Sequence, residues 1–198
     1  MSMQQIVPII LEGRFVRLEP LERRHEAGLN AVAGDEEIWR HFTSFLGAPD
    51  AMHEWIEQAL TNEARGTQAP FVTVERATGT VVGATRVMDI QYEHDAAEIG
   101  GTWLGRAWWR GAVNSESKYL LLRHLFEVIG CRRVYFKTDL RNERSQRAIE
   151  RLGAVREGVL RKHMIVQGGR SRDSVYYSII DDEWPIIRVR MEQNLYSN

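Results

Sequence analysis

With 198 residues, 43% of them hydrophobic and 27% charged, the chain has the make-up of one soluble globular domain with its own core. A formal net charge of -1 lacks the basic excess of a nucleic-acid binder, so nucleic acid is excluded as an expected partner. The single cysteine, Cys131, forms no intramolecular disulfide; it fits a reducing compartment and reads as a buried structural thiol. No leader pattern opens the chain, and no apolar run approaches the roughly 18 residues of a membrane span. A cytoplasmic protein with no membrane partner is expected.

Residues 1–11 read as a loosely held lead-in, and residues 15–20 alternate and stop at Pro20, as a first strand does. Residues 22–33 read as a helix stopped by Gly34, and residues 37–42 as a helical turn that sets aromatics near a cleft. A second helix is expected over residues 49–64, with Asp50 as N-cap and Met52, Trp55, Ile56 and Ala59 at helical spacing. Residues 71–75 and 81–88, joined by Ala77-Thr78-Gly79, form a hairpin. Glu93-His94-Asp95 turns into a further strand, so three consecutive antiparallel strands precede the next unit.

That unit begins with the strand Ala97-Glu98-Ile99-Gly100-Gly101-Thr102-Trp103-Leu104 and passes through a loop rich in Gly and Arg. An amphipathic helix over residues 115–129 and a strand over residues 133–138 complete it. Strand, loop, helix, strand is a βαβ unit, whose crossover is right-handed. Its loop aims backbone N–H groups and the positive end of a helix at whatever docks there, which suits a phosphate. Asn142 then caps a helix ending at Leu152, with Gly153 at its C′ position. Residues 154–166 and 171–180 form strands around Gln167-Gly168-Gly169, and residues 182–198 close the chain as a helix with Pro185 in its first turn. Residues 1–198 thus read as one α+β domain around a mixed, mostly antiparallel sheet.

Several stretches in this order resemble the GNAT acyl-CoA N-acyltransferases. They are Ala97-Glu98-Ile99-Gly100 with Trp103-Leu104, the Trp-rich loop, and Asn142-Glu143-Arg144-Ser145 followed by Leu152-Gly153. Glu157-Gly158-Val159-Leu160-Arg161 and Tyr177-Ser178-Ile179 are similar to the bacterial branch of Rim-type ribosomal-protein N-terminal acetyltransferases. The resemblance spans residues 11–184. It implies a GNAT fold whose fourth and fifth strands splay apart, with the pantetheine arm of acetyl-CoA in the split and no metal. It also implies direct transfer of an acetyl group, through a tetrahedral intermediate, to a primary amine: a protein N-terminal α-amine or a small-molecule amine. A homodimer through the C-terminal strand and helix rests on the resemblance alone.

The family's pyrophosphate loop falls on residues 107–112. Arg110 stands where its first glycine is usual, Gly111 comes one position late, and Ala112 is an accepted small residue. If that position needs a positive φ, Arg110 costs about 1 kcal/mol; alternatively its side chain folds back onto the pyrophosphate. The resemblance makes Trp109, Arg110, Gly111, Ala112, Val113 and Asn114 cofactor contacts. Trp103 and Leu104 join them from the splayed strand, where a backbone N–H would meet the oxyanion.

Glu98 is the first candidate for general base, directly or through a water, unless it only holds the strand by hydrogen bonds. Asp95, His94 and Glu37 are fallbacks on neighbouring loops. The family often has a tyrosine seven residues beyond Asn142, to protonate the leaving thiolate; here that place holds Ile149. Ser145 is the substitute the ribosomal-protein branch suggests, unless its hydroxyl only solvates the helix start. Asn142 serves as an N-cap and, compatibly, as a cofactor contact. Arg141, Arg144 and Arg147 read as a solvated face or as phosphate contacts. The six histidines show no metal-ligand spacing. Trp55 and Trp184 read as core, whereas Trp39, Trp108 and Trp109 read as cleft or subunit contacts.

Two other readings compete. Arg110 and the missing tyrosine motivate a GNAT-fold binding or assembly module with impaired catalysis. A nucleotide oxidoreductase lacks its G-x-G-x-x-G fingerprint. Residues 36–47 and 91–95, expected to line the acceptor pocket, carry no motif that names the amine.

Overall fold

In the computed structural model, which describes residues 3–197, eight strands make one sheet. They are β1 (Leu11–Glu12), β2 (Val16–Pro20), β3 (Gln68–Glu75), β4 (Val81–Gln91), β5 (Ala96–Leu104), β6 (Arg133–Asp139), β7 (Val155–Val166) and β8 (Arg170–Ile180). Their spatial order is β1-β2-β3-β4-β5-β6-β8-β7, and every neighbouring pair is antiparallel except β5 with β6. The helices are α1 (Glu26–Ala33), α2 (Glu36–Trp39), α3 (Ala51–Ala64), α4 (Ala112–Arg123), α5 (Glu143–Leu152) and α6 (Trp184–Tyr196).

Side chains alternate across the pleat, and each face of the sheet buries its own apolar set. Leu18, Phe71, Val87 and Ile99 pack with Leu120 and Leu121 of α4. Val72, Val74, Ala84 and Trp103 pack with Leu29 of α1 and Ile56 of α3. The buried carboxylate of Glu116 ties α4 to the first strands, accepting from the backbone N–H of Arg14, Phe15 and Val16 at 2.7–2.8 Å. A β-bulge interrupts the β4–β5 ladder: Ala84 faces Trp103 and Arg86 faces Gly100, so Gly101 and Thr102 stand opposite Thr85 alone. Gly101 takes φ 57 there, a conformation glycine adopts without a Cβ penalty.

Several expectations are revised. The start of the lead-in is held down, because Met3 and Ile6 bury their apolar side chains, while Val7, Ile9 and Ile10 stay exposed. The Met3 N–H donates to Asp95 Oδ1 and that of Gln4 to the Ile129 carbonyl, both at 2.8 Å; residues 1 and 2 lie outside the described residues. The helix expected from residue 22 opens as a 3-10 turn, Arg23–His25, before α1. Asp50 is the N-cap of α3, as expected, but at φ 60 and without a side-chain hydrogen bond to the first turn. The crossover helix starts at Ala112, three residues early, because Gly111 takes the extended N-cap conformation and leaves Ser115 inside. It continues as a π-helical segment, His124–Ile129, until Gly130 stops it at φ 83.

Candidate active site

The parallel ladder between β5 and β6 holds three pairs and ends at Glu98 opposite Tyr135. Beyond it, β5 stays with β4 while β6 runs on along β8 to Asp139. The two strands therefore part. Alternate backbone N–H and C=O groups of β5 past Glu98 face the gap without a strand partner. The first turn of α4 opens at the same gap with no side-chain cap, leaving N–H groups that have no intrahelical acceptor. A cavity of about 960 Å³ fills the split and extends to α5 and to the loop after α2.

Of the expected site residues, Trp103, Leu104 and Glu98 reach this cavity from β5, and Trp109, Arg110, Gly111 and Asn114 from the loop and helix start. Asn142 and Ser145 reach it from α5. Ala112 and Val113 instead face the opposite side of the loop, and the Val113 side chain joins the core. Arg110 takes φ 66, so the positive-φ position does fall on this residue; Gly111, at φ -97, needs no such freedom. Trp109 Nε1 donates to the Leu104 carbonyl at 2.9 Å, and the Arg144 guanidinium stacks 3.5 Å from the Trp109 ring centre. These contacts fasten the loop both to the end of β5 and to α5.

Asn142 is the N-cap of α5: its Oδ1 accepts from the Ser145 N–H at 3.0 Å. Its amide NH₂ and the Ser145 hydroxyl make no hydrogen bond among the described residues and line the cavity, so both keep donors in hand. Ile149, at the tyrosine's place, is buried and lines the cavity with carbon only.

Glu98 is 2% exposed and pairs with Lys137 Nζ at 2.8 Å. Burial pushes its carboxyl above the ordinary carboxylate value, and the Lys137 charge opposes that shift in part. Gly100 makes room for it, since a Cβ there would lie 2.5 Å from Glu98 Oε1. Glu37, His94 and Asp95 do not line the cavity; Asp95 is committed to the Met3 N–H. Of the two loops expected around the acceptor, residues 38–46 contribute walls and residues 91–95 do not.

Sequence reasoning missed the cations drawn into the site, of which Lys118 and Arg172 are buried and Arg86 and Lys137 half-buried. Lys118 of α4 donates to Thr85 Oγ1 at 3.2 Å and to Thr102 Oγ1, at the bulge. Burial pulls its ammonium down to about 7, with the charge of Glu98 opposing. Arg86 of β4 lies 4.4 Å from the ring centre of Trp55, which is half-buried, packs on the edge of the core and also walls the cavity. Trp184 is buried in the core and Trp39 is buried against Trp103. Lys137 and Arg172 complete the set. A charged residue at the head of an apolar helical run, as Lys118 is before Tyr119-Leu120-Leu121-Leu122, was the available signal.

A split parallel pair, a helix N-terminus at its mouth and free donors on the next helix define a fold and cleft of the acyl-CoA-dependent acetyltransferase class. A family profile for the acetyltransferase (GNAT) domain matches residues 16–155, and the chain belongs to that family. It is similar to a crystal structure assigned as an acetyltransferase from T. thermophilus, 42% identical over 96% of this chain and 98% of that one, with TM-score 0.86. A GCN5-related N-acetyltransferase from Brucella melitensis is 31% identical over 98% of this chain and 88% of its own, with TM-score 0.91. RimJ of Mycobacterium smegmatis in complex with CoA-disulfide shares the fold at 20% identity, over 94% of this chain and 95% of that chain, with TM-score 0.81. The chain is an N-acetyltransferase with the GNAT fold, of a family that uses acetyl-CoA as co-substrate. Among the described residues no helix is long and apolar enough to cross a membrane, and no group of three or more His, Cys, Asp or Glu side chains could hold a metal ion.

Proposed function

We propose that this protein transfers the acetyl group of acetyl-CoA directly to a primary amine, with Glu98 and Ser145 handling the protons. The observation that carries this reading is the end of the β5–β6 ladder at Glu98, which puts a buried carboxylate at the apex of the split. In the reaction the amine nitrogen attacks the thioester carbonyl carbon, a tetrahedral intermediate forms, and the C–S bond then breaks. The amine loses one proton and the thiolate gains one.

Each chain element has a part in this. The first-turn N–H groups of α4 and the backbone of residues 110–114 bind the pyrophosphate. Unpaired β5 groups around Trp103 and Leu104 orient the pantetheine arm and supply an oxyanion donor, held by the bulge before an oxyanion forms. Glu98 accepts the amine proton, and burial, which raises its pKa, makes it a stronger base than an exposed carboxylate. Ser145 donates to the thiolate, and the free amide of Asn142 donates to a pantetheine carbonyl. Lys118 positions the bulge through Thr102. The GNAT relatives with bound CoA include RimJ, and CoA is the ligand tested first.

The acceptor is a protein N-terminal α-amine or a small-molecule amine. A second reading, a fold that binds without transferring, draws on the buried Ile149 and on Arg110 at φ 66. Calorimetry with acetyl-CoA, followed by thiol release against an amine panel, separates them. Binding together with acceptor-dependent thiol release supports transfer; absence of both overturns it.

A further inference from the structure

Cations without acidic partners crowd the inner cavity. Among the described residues no carboxylate oxygen lies within 4.0 Å of the charged groups of Arg86, Arg172 or Lys118. Glu98 is the one carboxylate among the described residues that lines the cavity, and Lys137 already pairs with it. Arg86, Glu98 and Arg172 thus leave the chamber with an excess of positive charge. A simple amine arriving as ammonium would meet repulsion there.

Arg86 is built as a receptor. Its guanidinium lies over the Trp55 ring, 4.4 Å from the centre, and its Nη1 donates to Gln68 Oε1 at 3.1 Å, so two contacts hold it in place. The remaining edge, Nε with Nη2, has no acceptor among the described residues, and Nε is buried. That edge is the fork with which Arg23 grips Glu57 elsewhere in the chain, Nε to Oε1 at 2.5 Å and Nη2 to Oε2 at 2.8 Å. A buried donor left without an acceptor is costly, and a carboxylate is its best partner. Gly101 leaves the guanidinium uncrowded, since a Cβ there would approach Arg86 Nε to 3.3 Å. Arg86 also stands opposite Gly100 in the ladder, two residues past the last β5–β6 pair. It therefore flanks the site of acyl transfer, far along the strand from the α4 N-terminus where the phosphates belong.

From these features we infer that the acceptor amine carries a carboxylate, which the free edge of Arg86 binds while Arg172 adds to the field. The inference rests on the acetyl transfer proposed above and narrows its acceptor to an amino acid or a peptide whose N-terminal residue is acidic. Arg86 and Arg172 discriminate among acceptors by charge as well as by shape.

The test is steady-state acetylation of matched pairs, with acetyl-CoA binding followed separately by calorimetry. One arm compares free amino acids with their carboxamides, and the other compares peptides beginning with Asp or Glu with those beginning with Asn or Gln. A preference of roughly 100-fold in kcat/KM for the carboxylate member is expected in one arm, which also identifies the carboxylate's source. Arg86→Gln should reduce that ratio below roughly 10-fold, chiefly through KM, and Arg86→Lys should restore part of it. Equal rates within each pair of the wild-type protein overturn the inference, and so does a preference that Arg86→Gln leaves intact in a folded variant. Acetyl-CoA binding with no reaction in either arm also overturns it; absence of acetyl-CoA binding overturns the transfer reading itself.

Discussion

In the Lys118→Met variant an uncharged side chain of similar length fills the space between α4 and the β5 bulge. Thr85 and Thr102 lose a donor but keep their mutual hydrogen bond at 2.8 Å. Burial disfavours the ammonium, so the folded chain holds this proton less tightly than the unfolded chain, where the pKa is near the ordinary 10.5. With the folded value at about 7, the unfolded chain binds more protons between those two pH values, and wild-type stability rises with pH across that window. Below it the penalty is complete. A gap of about 3.5 units at about 1.4 kcal/mol each gives a penalty on the order of 5 kcal/mol at pH 6, falling to about 2 kcal/mol at pH 9. Urea unfolding of both proteins at each pH measures the difference, in which groups remote from Lys118 cancel. Met should stabilise the protein, and the gain should shrink by about 3 kcal/mol between pH 6 and pH 9. A gain independent of pH, or a loss at every pH, would refute a buried amine that titrates near neutrality.

Three further outcomes follow from the site. Glu98→Gln should lower kcat by about 100-fold or more and remove the acidic limb of the pH–rate profile, while calorimetry finds acetyl-CoA affinity kept. Ser145→Ala should reduce kcat by about 10-fold with a melting temperature nearly unchanged, because Asn142 caps the backbone N–H and not the hydroxyl. Arg110→Gly should relieve the φ 66 conformation and raise stability by no more than about 1 kcal/mol, read by thermal melting. If the Arg110 side chain also meets the pyrophosphate, the same variant binds acetyl-CoA more weakly; tighter binding would instead favour the module that binds without transferring.

Local chemistry made much of the fold legible. Asn142 and Gly153 bracket α5 through a side-chain acceptor and a φ of 102, both properties of single residues. The strand-like runs 71–75 and 81–88 around the turn Ala77-Thr78-Gly79 located β3 and β4, and the ordered stretches from Ala97 to Ile179 named the family. Where two local signals competed, the reading slipped. The crossover helix was expected from residue 115, yet Gly111 is the N-cap of α4, because the loop is anchored from outside by Trp109 on Leu104. The π-helical turn at residues 124–129 keeps the apolar spacing of a helix and was invisible in the pattern.

The sequence by itself determined the class of protein, the order of its elements and the residues that bring donors and a carboxylate to the βαβ unit. Tertiary structure alone decided where β5 and β6 part, because strand pairing depends on which backbone groups remain unpaired across a distance of more than 30 residues. It also decided the electrostatics. Lys118, Arg86 and Arg172 look like ordinary solvated charges in the chain; packing removes their water, and the missing acidic neighbours turn them into a site.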